Sequence, residues 1–281
     1  MKTTTKQTHL YSNTDLRKLL IPIIIEQLLS SLMGTVDTMM VSNVGSAAIS
    51  AVSLVDSINI LVIQALSALA AGGAILCSQY IGSEKRDGAI RSAQQVLFVM
   101  TVLSVALSAG CLIFRVPLLR VIFGAVEADV MKNSQVYFLF TLLSFPFIGL
   151  YDAGASILRA QNNSRSPMVI SVISNFMNIG GNAILIFGFH MGVEGAAIST
   201  LISRIFCAVV VLWKLRDESK QIFVKQYLSI RPDFGLIKNT VHRYSIGNRE
   251  QYVPVWKAGD SVHCVHTWHG CHCRAGDDEH S

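Results

Sequence analysis

The sequence predicts an all-α, polytopic membrane protein whose chain crosses the bilayer six times. Of its 281 residues, 51% are hydrophobic and only 15% charged, with a mean hydropathy of +0.47. Soluble domains carry about 25% charged residues, so a water-soluble globule is excluded at the level of composition. Six apolar stretches each approach the roughly 20 residues that a helix needs to cross the hydrocarbon core. The formal net charge is +5, and the Lys and Arg behind it lie mostly between those stretches. The basic balance therefore reads as membrane topology rather than nucleic-acid binding.

The spans fall at about 19–41, 49–73, 92–114, 135–158, 167–189 and 195–213. Eighteen mostly polar residues precede the first, and no small-residue cleavage pattern follows it, which predicts a retained first helix rather than a signal peptide. Residues 1–18 are then a cytoplasmic N-terminal segment and 19–214 the six-span unit. The second span continues as an apolar stretch to Ile81, which predicts a helix projecting past the bilayer until Gly82 stops it. The third and fifth spans run for more than about twenty residues without a charge. Short connections, Ser42–Ser46, Gly82–Gly88, Gln161–Ser166 and His190–Glu194, predict antiparallel neighbours in one bundle. Gly, Ala and Ser recur inside the spans, as over 65–74 and 195–200, and small residues let helix backbones approach closely in lipid.

The isolated charges inside spans are Glu26, Asp37, Asp56, Asp152 and Arg204. Ionisable groups at such depth face protein or water, so these five are the informative residues. Glu26 and Asp37 stand eleven residues apart, which at about 100° per residue returns to nearly the same helix face, about 16 Å along the axis. Asn175, Asn178 and Asn182 recur at i, i+3 and i+7, an inward stripe of amides that either lines a polar site or joins helices. Met33, Met39, Met40, Phe140 and Phe145 could line an apolar cavity, although scattered apolar side chains in membrane helices more often pack. Cys77, Cys111 and Cys207 lie singly in apolar runs and read as small hydrophobes. No G-x-x-x-x-G-K loop occurs, so ATP-driven transport has no support, and no nucleophile and base constellation suggests an enzyme.

Several linked motifs resemble the multidrug and toxic compound extrusion family of cation-coupled exporters. Ile21-Pro22-Ile23-Ile24-Ile25-Glu26-Gln27, continuing to Thr35-Val36-Asp37-Thr38-Met39-Met40-Val41, resembles that family's first helix. Arg159-Ala160-Gln161-Asn162-Asn163-Ser164-Arg165-Ser166-Pro167 resembles its R-A-x-G-D/N-S/T-x-x-P signature, with Asn162 where Gly is usual, which predicts a looser turn. Asn178-Ile179-Gly180-Gly181-Asn182 through Gly188, then Met191-Gly192-Val193-Glu194-Gly195-Ala196-Ala197, resembles its fifth helix and the turn after it, with Asn182 where Asp is frequent.

The resemblance covers about 12–239 and implies one lobe of a twelve-helix, two-lobe transporter. It implies a plasma-membrane antiporter that exchanges H+ or Na+ for small cationic amphipathic compounds. The coupling ion would bind at Asp37, Asn178, Asn182 and Thr200. Glu26, Asn175 and Met33 are candidate cavity residues, with a structural hydrogen bond as the other reading of Glu26. No cofactor, resident metal or nucleic-acid partner is expected beyond that ion; the expected partners are the bilayer, the substrate and a C-terminal lobe. The alternatives are a lipid-linked oligosaccharide flippase and a truncated membrane protein that does not transport.

The expectation of a second lobe meets a break near residue 240. Residues 215–239 read as a cytoplasmic linker, but 240–281 contain no Leu, Phe or Met while holding six of the eight His and half the Cys. Back-translated and read from the second base of each codon from Tyr244, this tail becomes an apolar peptide that resembles the 21–51 segment, with Trp256 and Trp268 both becoming Gly whatever the wobble base. The tail is therefore expected to be an out-of-frame, disordered segment, and His263, Cys264, His266, His269, Cys271, His272 and Cys273 a by-product rather than a zinc site.

Nine Lys and Arg (2, 6, 17, 18, 85, 86, 91, 159 and 165) flank the spans on one side and three (115, 120 and 132) on the other, which places the N-terminus in the cytoplasm. A cysteine introduced within 82–88 should be shielded from impermeant thiol reagents in intact cells, and one within 116–132 should be labelled. The reverse labelling would invert the assignment.

Overall fold

The computed structural model describes residues 13–124, 126–218 and 220–224. The His- and Cys-rich tail 240–281 and its shifted-frame reading lie outside the described residues, as does the linker beyond Val224. Seven helices follow one another: α1 Asn13–Ser42, α2 Ser46–Gly82, α3 Arg86–Ile113, α4 Arg115–Phe123, α5 Ala128–Ala160, α6 Arg165–Asn182 and α7 Val193–Lys214. All but α4 are long and apolar enough to cross a membrane, and no strand occurs among the described residues. The all-α, six-span prediction thus holds, with helix ends extending past the apolar cores of the predicted spans.

Helix α2 continues unbroken to Gly82, as its apolar extension predicted, and the Ser83 and Glu84 amides close its end on the carbonyls of Gln79 and Ile81. Because α3 starts at Arg86, the connection between them is only 83–85, shorter than the sequence suggested. The α5–α6 turn is not loosened by Asn162. This residue takes φ 61°, a left-handed conformation that Asn tolerates, and the amides of Asn162 and Asn163 bond to the Arg159 and Leu158 carbonyls at 3.0 Å. A wide π-helical turn, Ala183–Gly188, extends α6 directly after Asn182.

Helix α4 is the element that hydropathy missed. Its nine residues are too short to span, yet Leu119 is fully buried while Val121 and Ile122 are exposed. A short amphipathic helix of this kind suits the bilayer interface rather than its core.

Helix α5 lies at the centre, packed against α2, α7 and α3. Half of its apolar window is buried, against 6% for α1. Close backbone approach makes this possible: a Cβ on Gly149 would come within 2.7 Å of the Ser104 side chain, and one on Gly154 within 2.9 Å of Val211. The apolar core forms two clusters. One gathers Leu66, Ala93, Leu97, Ile157, Val211 and Leu215 towards the α2–α3 and α5–α6 turns. The other gathers Val41, Val55, Phe138, Phe145, Ile186 and Val193 towards the α1–α2 and α6–α7 turns.

With so little apolar burial, α1 is placed by polar contacts. Both carboxylate oxygens of Glu26 accept from Arg159 Nη2 at 2.8 Å, and the Tyr151 hydroxyl donates to Glu26 Oε1 at 2.9 Å. Glu26 is 5% exposed, so this is an ion pair largely removed from water. Replacing Arg159 with Met would leave that carboxylate unpaired. Fully buried pairs cost about 3–5 kcal/mol when one partner is lost, and because the Arg159 side chain is 29% exposed the cost here should be about 2–3 kcal/mol. A measured loss of thermal stability in purified R159M, largely recovered in the double variant E26Q/R159M, is the expected result; an unchanged R159M would show that α1 is not held there.

Candidate functional site

Asp37 sits in the last third of α1, at the point where α6 ends and α7 begins. Its carboxylate Oδ1 accepts a 2.6 Å hydrogen bond from Asn182 Nδ2. The same amide nitrogen donates to Asn178 Oδ1 at 3.1 Å, and Asn178 Nδ2 donates to Thr200 Oγ1 at 3.1 Å. Thr200 in turn passes its own proton to the Ala196 carbonyl at 2.9 Å, and Ser199 bonds the Asn178 carbonyl at 2.9 Å. The donors diverge from Asn182: one branch runs from α6 to the Asp37 carboxylate on α1, and the other runs through Asn178 to Thr200 and the Ala196 carbonyl on α7. The α1 branch ends on an oxygen that accepts, a role an ionised carboxylate fills.

The local sequence makes the chain possible. Asn178 and Asn182 stand one helical turn apart and are both buried, so their amides stack along the inner face of α6. Ser199 and Thr200 belong to a small-residue start of α7, Gly195-Ala196-Ala197, that lets this helix lie close to α6. Asn182 Oδ1 is buried without a hydrogen-bond partner, an oxygen beside Asp37 that is free to accept. The four residues Asp37, Asn178, Asn182 and Thr200 are thus in one place.

The remaining candidates are distributed differently. Asn175 continues the amide stripe one turn away, with its Nδ2 buried and unpartnered, and it joins none of the bonds to Asp37 described above. Met33 lies half-buried one turn before Asp37 on α1. Met39 is 65% exposed, whereas Phe145 is fully buried in a cluster against which Met40 and Phe140 also pack. Glu26 lies in the other half of the bundle, in the ion pair with Arg159, which realises the structural of its two readings.

Around the Asp37 chain lies a second layer. Asp56 Oδ1 accepts from Asn59 Nδ2 at 3.2 Å and from the Tyr137 hydroxyl at 3.3 Å. Arg204 donates to Ser144 Oγ, which donates to the Thr141 carbonyl. The Arg204 guanidinium lies within electrostatic range of Asp37, Asp56 and Tyr137. Among the described residues, no cluster of His, Cys, Asp and Glu has the arrangement to hold a metal ion. Tyr137, Ser144 and Tyr151 escaped the sequence reading, and Arg159 entered it only as a motif residue and a flanking charge, because their partners lie 60 or more residues away.

Comparison with known proteins bears on the family and the fold. The MatE family description matches residues 22–184, including the first helix with Asp37 and the α6 stripe. The transporter YisQ of Bacillus subtilis, itself called uncharacterized, is 30% identical over 213 residues, which are 73% of this chain and 46% of that relative. A Thermotoga maritima protein named "Probable multidrug resistance protein NorM" is 27% identical over 71% of this chain and 43% of its own length. The chain therefore spans about half the length of these curated relatives. A solved MOP superfamily transporter from Pyrococcus furiosus superposes with TM-score 0.74 at 23% identity, over 81% of this chain and 50% of its own. At that identity the likeness shows the fold. With a family match over more than half of its length and six helices among the described residues long and apolar enough to cross a membrane, the chain is a multi-pass membrane protein that belongs to the MatE family.

Proposed function

We propose that this chain is the ion-coupling lobe of a plasma-membrane antiporter, N-terminus in the cytoplasm, that exports cationic amphipathic compounds in exchange for H+ or Na+. The observation that carries this reading is the buried amide network centred on Asn182, which donates to Asp37 on α1 and to Asn178, which in turn donates to Thr200 on α7. It satisfies one carboxylate oxygen and holds the charged form in register. An arriving proton or Na+ then has the second carboxylate oxygen of Asp37, with Asn182 Oδ1 as a further acceptor.

Coupling follows from what the ion would change. Neutralising Asp37 weakens the charge-assisted bond from Asn182, which is the polar contact between the outer third of α1 and α6. A packing that needs this bond and one that does not would then be favoured in turn by the empty and the loaded state, the differential affinity that alternating access requires. Substrate movement would further involve a second lobe, which the two-lobe resemblance implies.

The charge inventory favours this reading over an oligosaccharide flippase with a cationic cavity. The spans carry the carboxylates Glu26, Asp37, Asp56 and Asp152 against the guanidinium of Arg204, with Arg159 in the last turn of α5. In a transport-competent form containing both lobes, Asp37→Asn keeps the shape and removes the titrating group. Coupling free energies of about 1–3 kcal/mol correspond to about 5–150-fold. The variant should lose an ion-gradient stimulation of dye export in that range while its membrane level stays the same, and Asn178→Ala should lose less. Undiminished coupled export in D37N would remove the centre of this mechanism.

A further inference from the structure

The buried charges sort into two groups of the same composition, one in each half of the lobe. Towards the α6–α7 turn, Asp37 and Asp56 face the single guanidinium of Arg204. Towards the α5–α6 turn, Glu26 and Asp152 face the single guanidinium of Arg159. Along α1 the two groups are about 16 Å apart, the rise from Glu26 to Asp37. Each group, fully ionised, holds one negative charge more than its arginine can balance.

We propose that the second group is a proton-binding site, with Asp152 as the residue that takes up and releases the proton. In the pairing with Arg159, Glu26 uses both of its oxygens and also accepts from Tyr151, so its charge is met. Asp152 is left over. Its Oδ2 is buried and has no hydrogen-bond partner, and neither has the nearby buried Arg159 Nε. The groups that face Asp152 are Arg159 on its own helix, Glu26 from α1, and Arg204 and Cys207 from α7. Of the two cations, Arg159 is engaged by Glu26, and Arg204 bonds Ser144 and faces Asp37 and Asp56. An unpaired carboxylate cannot keep its charge cheaply in such surroundings, and a proton on Oδ2 removes the surplus.

The chemistry selects a proton over a metal cation. Sodium needs several free oxygens, but here the Glu26 oxygens are already donated to and a guanidinium stands beside them. A proton needs one oxygen. It also has a way in, because the Arg159 side chain is 29% exposed and brings that end of the group to the surface. Arg204 faces Asp152 as well as Asp37, so the two groups share its field. A proton arriving at Asp37 leaves more of that field to Asp152 and favours release there, which makes the pair a two-step relay along the lobe.

This inference stands apart from the assignment of Asp37, and one experiment separates them. pH-difference infrared spectra of the purified chain in lipid vesicles, with 13C-labelled aspartate, report each buried carboxylic acid as its own C=O band. The wild type should show two responding aspartate bands. D152N should lose one of the two and keep the other, and D37N should do the converse. Spectra of D152N superposable on the wild type would overturn the proposal. Should D152N not fold, D37N decides alone: a pH-responsive aspartate band must persist in it at a site that E26Q abolishes, since Asp152 alone then balances Arg159. A D37N chain with no remaining band overturns the proposal, whereas a D37N spectrum equal to the wild type overturns the Asp37 reading only.

Discussion

Two carboxylates on one face of α1 hold this lobe in its observed arrangement. A membrane helix gains nothing from exchanging lipid for equally apolar protein, so tight packing and polar contacts have to place it. For α1 the packing is sparse, with only 6% of its apolar window buried. The contacts that remain are Glu26 to Arg159 and Tyr151 near one end and Asp37 to Asn182 near the other. One is a bidentate ion pair and the other a single charge-assisted bond to a neutral amide, so the Asp37 end is the one that a proton or ion releases most readily.

The rest of the lobe supplies a stiff frame against which such a release is felt. Helix α5, packed on three neighbours and closely on α3 and α7 through Gly149 and Gly154, carries Arg159, Tyr151 and Asp152 for one charged group and Tyr137 and Ser144 for the other. The chain after α7 adds to this frame. Arg86 donates to the carbonyls of Glu218, Lys220 and Gln221, while the Ile222 amide bonds Gln161 Oε1, and Ile222 and Val224 are fully buried. The segment just after α7 is thus fastened across the α2–α3 and α5–α6 turns.

What could be read from the sequence follows from which signals are local. The spans were legible because hydropathy is summed along the chain, and the Asp37, Asn178 and Asn182 faces because helical periodicity places residues by counting. Thr200 entered only through the family resemblance. The partners of the span charges were not legible: Glu26 meets Arg159, 133 residues on, and Asp56 meets Tyr137, 81 residues on. A helix pairing decides these contacts, and a single sequence carries no trace of it. Helix α4 was hidden because nine residues are too few for a span. Asn162 misled in a different way, since loss of glycine predicted a loose turn although asparagine also populates the left-handed conformation adopted there.

The central claim is that Asp37 exchanges a proton or Na+ and that loading it weakens the bond from Asn182. Solid-state NMR of the 13C-aspartate-labelled chain in lipid, with D37N to assign the resonance, measures this at the carboxyl carbon itself. The account predicts a carboxyl shift that moves between ionised and neutral positions as pH falls, with added Na+ opposing the change if the site also takes sodium. A shift at Asp37 that is indifferent to both pH and Na+ would contradict it.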